Sequence, residues 1–212
     1  MSLSEYLTKQ WKPKSIEWAN MSNADFDSVK KGFEDCVKHL EPNYKESHPE
    51  VVDQLVYFVM RSDKFKQDLN KGFILLGPTG TGKTLLLQAF RLFMRYVHKK
   101  GFSVYTGIEI EKIYRGDKVS LEKLSMSAEY CFFGFDDLGE EHSVVKIYGS
   151  EVNVGLETLM DRHKEFMNKG YLTFCTTNLD RDALKIKYGP RIDSRIDEMF
   201  NIIPVVGKDH RR

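Results

Sequence analysis

One eight-residue run limits what this chain can fold into more than any other feature, because it places three glycines and a lysine between two apolar segments. The preceding segment, Phe73-Ile74-Leu75-Leu76, has the composition of a buried strand, and the segment from Thr84 to His98 is apolar over most of a helix circumference. A strand, a glycine-rich loop and a helix in this order direct backbone N–H groups at bound phosphate. The run consists of Gly77, Pro78, Thr79, Gly80, Thr81, Gly82, Lys83 and Thr84.

This run is a complete Walker A sequence, the loop that binds the phosphates of ATP or ADP. Its glycines let the backbone wrap the β- and γ-phosphates, while Lys83 adds a mobile positive charge and Thr84 offers its hydroxyl to Mg²⁺. A chance glycine-rich turn would lack the strand and helix that flank this one. We therefore predict that residues 77–84 bind the nucleotide and that Lys83 also takes part in catalysis.

Two adjacent carboxylates follow a second apolar strand, predicted from Tyr130 to Phe135. Mg²⁺ prefers hard oxygen ligands and keeps several of its waters, so Asp136 is predicted to bind the metal together with Thr84. Asp137 is then predicted to orient or deprotonate the attacking water. Solvated loop acids are the alternative interpretation of this pair, and Glu140 and Glu141 are lower-ranked rivals for the base.

A polar triplet, Thr176-Thr177-Asn178, follows the predicted strand Tyr171 to Cys175. It brings polar groups to the carboxyl edge of the sheet, where ligands of open α/β folds bind. Asn178 could hold the water or sense the γ-phosphate. It could equally cap the helix that starts near Asp180.

Two arginines lie four residues apart in a short predicted helix, so Arg191 and Arg195 share one face. The opposite face is an apolar stripe of Ile192, Ile196 and Met199. The arginine face could meet a partner. From spacing alone, a surface helix in which Arg195 pairs with Glu198 is the favoured interpretation.

The remaining pattern predicts an α/β fold, since from Gly72 onward strands alternate with helices. Residues 1 to about 23, with Trp11 and Trp18, lack periodicity and are predicted to form an irregular leader outside the core. Further helices are expected over 25–40, 49–60 and 150–168 and on both sides of Gly189-Pro190, and further strands over 102–105 and 202–206.

Composition sets wider limits on class and partners. A chain of 212 residues has room for one main domain, and its net charge of +1 means that any DNA contact must come from a local patch. Cys36, Cys131 and Cys175 have no paired spacing and are predicted to be reduced thiols. There is no secretory signal and no uncharged run long enough for a membrane, so a cytoplasmic location is expected.

Four motifs taken in order resemble the AAA+ ATPases of the DnaC and IstB group, which are bacterial helicase loaders and transposition helper ATPases related to the initiator DnaA. The motifs are Gly77–Thr84, Phe133–Gly139, Thr176-Thr177-Asn178 and Tyr188–Arg195. The resemblance covers residues 46–212, which we expect to be the ATPase core. Residues 1–45 are expected to be an N-terminal arm and helix that could bind a partner.

The resemblance implies a five-stranded parallel sheet flanked by helices, with the strand before Asn178 lying between the strands before Lys83 and Asp136. It implies that Asn178 is the sensor I residue beside the γ-phosphate. It also implies that Arg195 is an arginine finger for a neighbouring subunit, supported by Arg191, in an ATP-bound ring or spiral. The sequence stops after the fifth strand, so no C-terminal helical lid is expected.

The expected function is that of a Mg²⁺-dependent ATPase of DNA replication that acts on single-stranded DNA and helps to place a replicative helicase. An IstB-like helper with a transposase partner is an alternative within the same fold. A nucleotide-switched adaptor with little turnover, holding a partner with Trp11, Trp18 and the first helices, is a third, which the intact Lys83, Asp136 and Asp137 disfavour. Weak candidates for DNA contact are Lys112, Arg115, Lys118 and Lys123.

Overall fold

The fold was obtained as a computed structural model, which describes residues 16–45, 47–116, 131–142, 144–147 and 150–207. Strands alternate with helices after residue 72, as predicted. The helices are α1 Phe26–Leu40, α2 Pro49–Met60, α3 Lys83–His98, α4 Gly107–Gly116, α5 Val154–Lys169, α6 Arg181–Tyr188 and α7 Pro190–Met199. The strands are β1 Gly72–Leu76, β2 Val104–Thr106, β3 Phe132–Asp136, β4 Val145–Ile147, β5 Ser150–Val152, β6 Leu172–Thr177 and β7 Phe200–Pro204.

The main sheet has five parallel strands in the order β2-β3-β6-β1-β7. Strand β6 therefore lies between β1 and β3, which confirms the order implied by the resemblance. The register pairs Leu76 with Thr177 on one side of β6 and Phe135 with Cys175 on the other. Because all five strands run the same way, the residues that follow β1, β3 and β6 meet at one edge of the sheet.

Apolar side chains cover both faces of the sheet. On one face Phe174 packs against Phe73 and Phe90, each at a ring-centroid distance of 4.8 Å, beneath helices α1, α2 and α3. On the other face α5, α6 and α7 bury a second cluster that contains Leu159 and Leu184. The predicted apolar stripe of α7 is buried here: Ile192, Ile196 and Met199 are 1%, 3% and 2% exposed.

The leader packs more closely on the core than the sequence predicts. Residues 16–24 are irregular, as expected, but the Trp18 ring lies against Phe58 and Phe132, and the Arg61 guanidinium carbon lies 4.2 Å from its centroid. The prediction that the leader lies outside the core is therefore wrong for Trp18. Its large apolar ring packs on aromatic side chains from distant parts of the chain, and sequence periodicity does not reveal such a contact. Trp11 lies outside the described residues.

A small antiparallel hairpin replaces the start of the helix predicted at residue 150. Strand β5 pairs with β4, Lys146 opposite Glu151, and α5 begins only at Val154. Asn153 ends the hairpin and caps the helix, since its side chain accepts a hydrogen bond of 3.0 Å from the Leu156 N–H. The helix prediction was wrong here because a three-residue strand is too short to show a period.

Strand ends also shift by up to two residues from their predicted positions. Strand β7 starts at Phe200, where it pairs with Gly72, and β6 continues to Thr177. A side chain at Gly72 would not fit, because a Cβ there would lie 1.7 Å from the Thr173 carbonyl oxygen. These boundaries are set by backbone pairing between strands, which cannot be inferred from local composition.

The three cysteines form no disulfide, and burial raises the pKa of Cys175, so that thiol stays neutral inside the sheet. Cys36 and Cys131 are only partly buried, and burial raises their pKa values as well. Of the helices in the described ranges, none combines the length and the apolar character that crossing a membrane requires.

Candidate active site

The glycine-rich loop connects β1 to α3 and takes backbone angles that favour glycine. Gly80 and Gly82 have φ angles of 81° and 83°, in the left-handed region. Gly82 is the N-cap of α3, so the helix begins at Lys83. The first N–H groups of α3 therefore stand at the loop, where they can bind an anion.

Lys83 spans the loop and reaches the end of β6. Its side chain is only 5% exposed, and its Nζ donates hydrogen bonds of 2.8 Å to the Gly77 carbonyl, 2.7 Å to the Pro78 carbonyl and 2.7 Å to Asn178 Oδ1. The ammonium group is thus held by oxygen acceptors. Phosphate oxygens are acceptors of the same kind, so they could take the place of the loop carbonyls.

Asp136 stands at the end of β3 and joins three parts of the chain. Its Oδ1 accepts a hydrogen bond of 3.0 Å from the Thr84 hydroxyl and one of 2.6 Å from the Thr176 hydroxyl. The structure thus brings together Thr84 and Asp136, the two predicted metal ligands. The carboxylate is 4% exposed, so these hydroxyls replace water around it.

Asp137 follows in a left-handed backbone conformation, with φ of 52°. Its N–H donates a hydrogen bond of 2.8 Å to the Thr176 hydroxyl, which supports that conformation. Its side chain lines a cavity of about 900 Å³ above the loop, and Glu140 lines the same cavity. Two candidate bases therefore share the cavity.

Glu141, the second rival, is held away from that cavity. It is 2% exposed, and its carboxylate accepts hydrogen bonds of 2.6 Å from the Tyr188 hydroxyl and 3.0 Å from the Gly139 N–H. Burial, followed by the charge of Glu141, raises the pKa of Tyr188, so its hydroxyl stays a donor. Glu141 therefore anchors the loop after β3 to α6.

Asn178 does not cap a helix, so that interpretation is wrong. The cap of α6 is Asp180, whose carboxylate accepts a hydrogen bond of 2.8 Å from the Ala183 N–H. The Asn178 side chain instead accepts from Lys83 and donates a hydrogen bond of 2.6 Å to Glu140. It links the Walker A lysine to an acid of the loop after β3.

Arg191 and Arg195 lie on α7, apart from the residues that line the cavity. The predicted pair of Arg195 with Glu198 is not formed, because Glu198 contacts His163 at 2.5 Å. Arg195 donates hydrogen bonds of 3.2 Å to the Arg191 carbonyl and to the Ser194 hydroxyl. Arg181 fixes α7 against α6 through bonds of 2.7 Å to Asp193 and 2.6 Å to Asp197.

A further wall of the cavity comes from the connection between α1 and α2, a segment that no sequence motif assigned to the site. His48 ties this connection to the loop, because its Nε2 lies 2.8 Å from the Thr81 carbonyl oxygen. The only local signal was the break at Glu41-Pro42-Asn43 between two helices. The residues of this wall are Leu40, Glu41, Asn43, Tyr44, Lys45 and Ser47.

The oxygen donors beside the loop fit Mg²⁺ but do not form a complete cage. Within the described ranges, no group of three or more His, Cys, Asp or Glu side chains could hold a metal ion. Mg²⁺ is commonly held by one or two protein oxygens together with phosphate and water, and Asp136 and Thr84 provide such a pair. A cavity of about 900 Å³ is within the range of cofactor sites.

The predicted DNA-contact residues receive little support. Lys112 is exposed on α4, while the side chain of Arg115, together with Lys118 and Lys123, lies outside the part of the chain that the structure describes. Their role stays a prediction.

Comparison with known proteins finds similarity only at the level of structure. No protein-family model and no curated protein matches the chain. The crystal structure of DnaI matches with a TM-score of 0.56 and a sequence identity of 20%, and the match covers 91% of this chain and 90% of DnaI. The DnaC helicase loader is 18% identical over 79% of this chain and 96% of that chain, with a TM-score of 0.58.

AMPPCP-bound DnaA from Aquifex aeolicus is 14% identical, covering 79% of this chain and half of DnaA, with a TM-score of 0.54. DnaA bound to AMPPCP and single-stranded DNA gives a TM-score of 0.55 at the same identity. These neighbours confirm the fold that the motifs implied. The chain has the AAA+ P-loop fold, a five-stranded parallel sheet flanked by helices, in the form seen in DnaI, the DnaC helicase loader and DnaA.

Proposed function

We propose that this chain is a Mg²⁺-dependent ATPase of DNA replication, of the helicase-loader type, which converts ATP and water to ADP and phosphate. One observation carries the proposal. Lys83, Asp136 and Asn178 lie at or after the ends of three strands that are distant in sequence, yet they converge through Thr84 and Thr176 at one side of a cavity large enough for a nucleotide.

The residues divide the work of binding. The N–H groups of residues 79–84 surround the phosphates, and Lys83 with Asn178 faces the γ-phosphate as sensor. Thr84 and Asp136 would hold Mg²⁺, which supplies positive charge to the phosphate oxygens when it is bound. The connection between α1 and α2 lines the cavity together with the loop, and we propose that it contacts the base and sugar.

Asp137 is the proposed base that orients or deprotonates the water. It lines the cavity and directly follows Asp136, the proposed metal ligand, whereas Glu140, which lines the same cavity, lies four residues after Asp136. Glu141 is excluded from this role by its burial and by its bonds to Tyr188 and Gly139. A base has to reach the water, and of the three acids Asp137 is best placed to do so.

Assembly of several copies completes the proposed site. Arg195 does not line the cavity of its own chain, and no carboxylate in the described ranges lies within ion-pair distance of it. A guanidinium on a helix that Arg181 holds in place is suited to reach a neighbour's γ-phosphate, with Arg191 as its support. We therefore propose a homo-oligomer in the ATP-bound state.

The replication role rests on the neighbours in fold. Two of them are DnaI and the DnaC helicase loader, and a third is DnaA bound to AMPPCP and single-stranded DNA. By analogy we propose ATP, single-stranded DNA and a replicative helicase as partners. Pull-down of a purified replicative helicase in the presence of ATP tests the last of these, and pull-down of a transposase instead would indicate a transposition helper.

Replacing Lys83 tests the nucleotide site. Lys83→Ala removes the cation of the loop, so ATP affinity should fall about tenfold to a hundredfold and hydrolysis should be lost. Isothermal titration with Mg·ATP measures binding, circular dichroism checks the fold, and Lys64→Ala on an exposed loop is the matched control. Unchanged ATP affinity in Lys83→Ala would overturn the proposal.

A further inference from the structure

Helix α3 carries a concentrated positive charge at the end remote from the nucleotide site. Arg91 and Arg95 lie four residues apart and so share one face of the helix, and Lys99, its C-cap, and Lys100 follow directly after it. There is no Asp or Glu from Lys83 to Ile108, although the whole chain has a net charge of only +1. We call Arg91, Arg95, Tyr96, Lys99 and Lys100 the α3 basic patch.

The patch borders a cleft of about 320 Å³ with unused donors. The Nε of Arg91 is buried and has no hydrogen-bond partner in the described part of the chain. Neither Arg91 nor Arg95 has a carboxylate of the described residues within 4 Å. The cleft is lined by Arg91, Leu92, Arg95, Gly101, Phe102 and Ser103.

Stabilisation of the helix explains only part of the positive charge on α3. The negative end of a helix dipole favours cations in the last turn, which accounts for Arg95 and Lys99. It does not account for Arg91, two turns from the end. Like charges four residues apart destabilise a helix unless an anion lies between them, so the pair of arginines indicates an anionic ligand.

An exposed aromatic ring selects among anionic partners. Tyr96 is 71% exposed, and Lys99 Nζ lies 5.4 Å from its ring centroid. Aromatic rings beside cations stack on unpaired bases while the cations contact the phosphates, a combination typical of single-stranded nucleic acid sites. A duplex would hide its base faces, and an acidic protein surface would not need the free ring.

We propose that the α3 basic patch binds single-stranded DNA, with phosphates in the Arg91–Arg95 cleft and a base stacked on Tyr96. The choice of DNA rests on the proposed function, but the site itself is separate from the nucleotide cavity. The residues that line the cleft and those that line the nucleotide cavity have no member in common, and Arg91 lies about one helical turn beyond Gln88, the last α3 residue of that cavity. Changes in the patch can therefore be separated from changes in ATP binding.

The test compares two double variants of equal charge loss. Arg91→Gln with Arg95→Gln alters the cleft, and Lys64→Gln with Lys66→Gln alters two exposed lysines elsewhere. Fluorescence anisotropy with a labelled oligothymidylate at several salt concentrations measures DNA binding. We expect the arginine variant to bind at least about tenfold more weakly, and the slope of log affinity against log salt to shrink by about 1.4, as expected for two lost phosphate contacts.

A second pair of variants tests the ring. Tyr96→Ala should weaken binding about tenfold, while Tyr96→Phe keeps the ring and should bind like the unaltered protein. All patch variants should retain ATP affinity. Weak ATP binding by the unaltered protein would instead count against the proposed function.

Three results would overturn the inference while leaving the nucleotide site intact. The first is equal DNA affinity of the arginine variant and the lysine control. The second is equal affinity of the unaltered protein for duplex and single strands. The third is no DNA binding at all; with ATP affinity retained, each result would leave the patch as a surface for an acidic protein.

Discussion

At the scale of single residues, the backbone at Asp137 decides how two adjacent acids can do different work. Asp136 ends a regular strand and points its Oδ1 at Thr84 and Thr176. The next residue turns into the left-handed region, held by a bond from its N–H to Thr176, and its side chain enters the cavity. Thr176 therefore contacts both acids, and the backbone turn at Asp137 directs the two side chains to different places.

The Asp137→Asn variant is predicted to keep Mg·ATP binding and to lose hydrolysis by a factor of about 10² to 10⁴, because an amide cannot take a proton from water. Glu140→Gln, at the other acid of the cavity, is the matched control and should retain most of the activity. Phosphate release and nucleotide titration measure the two effects. Loss of turnover in Glu140→Gln with normal turnover in Asp137→Asn would assign the base to Glu140.

Sequence reasoning could place Thr84 beside Asp136, because both follow parallel strands and such residues meet at one edge. It could not separate Glu140 from Glu141. Their neighbours in sequence are the same, and what buries Glu141 is Tyr188 together with Gly107 and Gly155, where a Cβ would lie within 3 Å of its side chain. Contacts between distant parts of the chain decide which acid meets solvent.

At the scale of elements, His98 joins the leader, α2 and α3. Its Nδ1 accepts a hydrogen bond of 3.0 Å from the Ala19 N–H, so its Nε2 carries the proton and donates one of 2.9 Å to the Val59 carbonyl. The ring is therefore neutral in this arrangement. Burial, and then the charges of Arg61 and Lys100, lower its pKa, against the bond to Val59.

This arrangement predicts a stability that falls in acid. Below about pH 6.5 the unfolded chain protonates His98 more fully than the folded chain, whose pKa is lower, so the unfolded state binds more protons and the free energy of unfolding decreases as pH falls. The expected slope from this one group is at most about 1.4 kcal/mol per pH unit. Urea unfolding of the unaltered protein and of His98→Gln between pH 7.5 and about pH 5 measures it.

The His98→Gln variant should show a smaller decrease than the unaltered protein. His39→Gln, at an exposed position on α1, is the control and should follow the unaltered protein. Parallel curves for the unaltered protein and His98→Gln would show that His98 is not the group responsible.

The elements that the sequence analysis missed share a physical cause. The hairpin of β4 and β5 has three residues in each strand, too few for a period to appear, and Trp18 belongs to no periodic segment. The cavity wall between α1 and α2 has no motif, because the contact that ties it to the loop joins His48 to a backbone carbonyl, that of Thr81, which any residue type could offer. By contrast, long strands and helices next to the glycine-rich loop or the acidic pair were predicted correctly, because there the apolar periodicity and the motif indicate the same element.

At the scale of the whole molecule, the position of Arg195 predicts that activity depends on assembly. Arg195→Ala should bind ATP like the unaltered protein but hydrolyse it more slowly, by up to about 10³ to 10⁵ if it acts as an arginine finger. Specific activity of the unaltered protein should rise with concentration. Hydrolysis assays across a concentration series, with light scattering for size, measure both.

Mixing provides the control for this prediction. In a mixture of Lys83→Ala and Arg195→Ala chains, some sites combine an intact loop from the second variant with an intact arginine from the first. Such sites should restore part of the activity. Co-assembly without any recovery would show that Arg195 does not act across a subunit boundary.

Because β6 lies in the middle of the sheet and follows β1 and β3 in the sequence, it also determines when the strands can pair during synthesis. Strands β1 and β3 are made before β6, and until Leu172–Thr177 has left the ribosome they have no shared neighbour. A nascent chain that ends before this strand exposes two apolar edges and lacks both Thr176 and Asn178. Addition of β6 therefore joins β1 to β3 and brings Thr176 and Asn178 to the nucleotide site in one step, before β7 adds the edge strand beside β1.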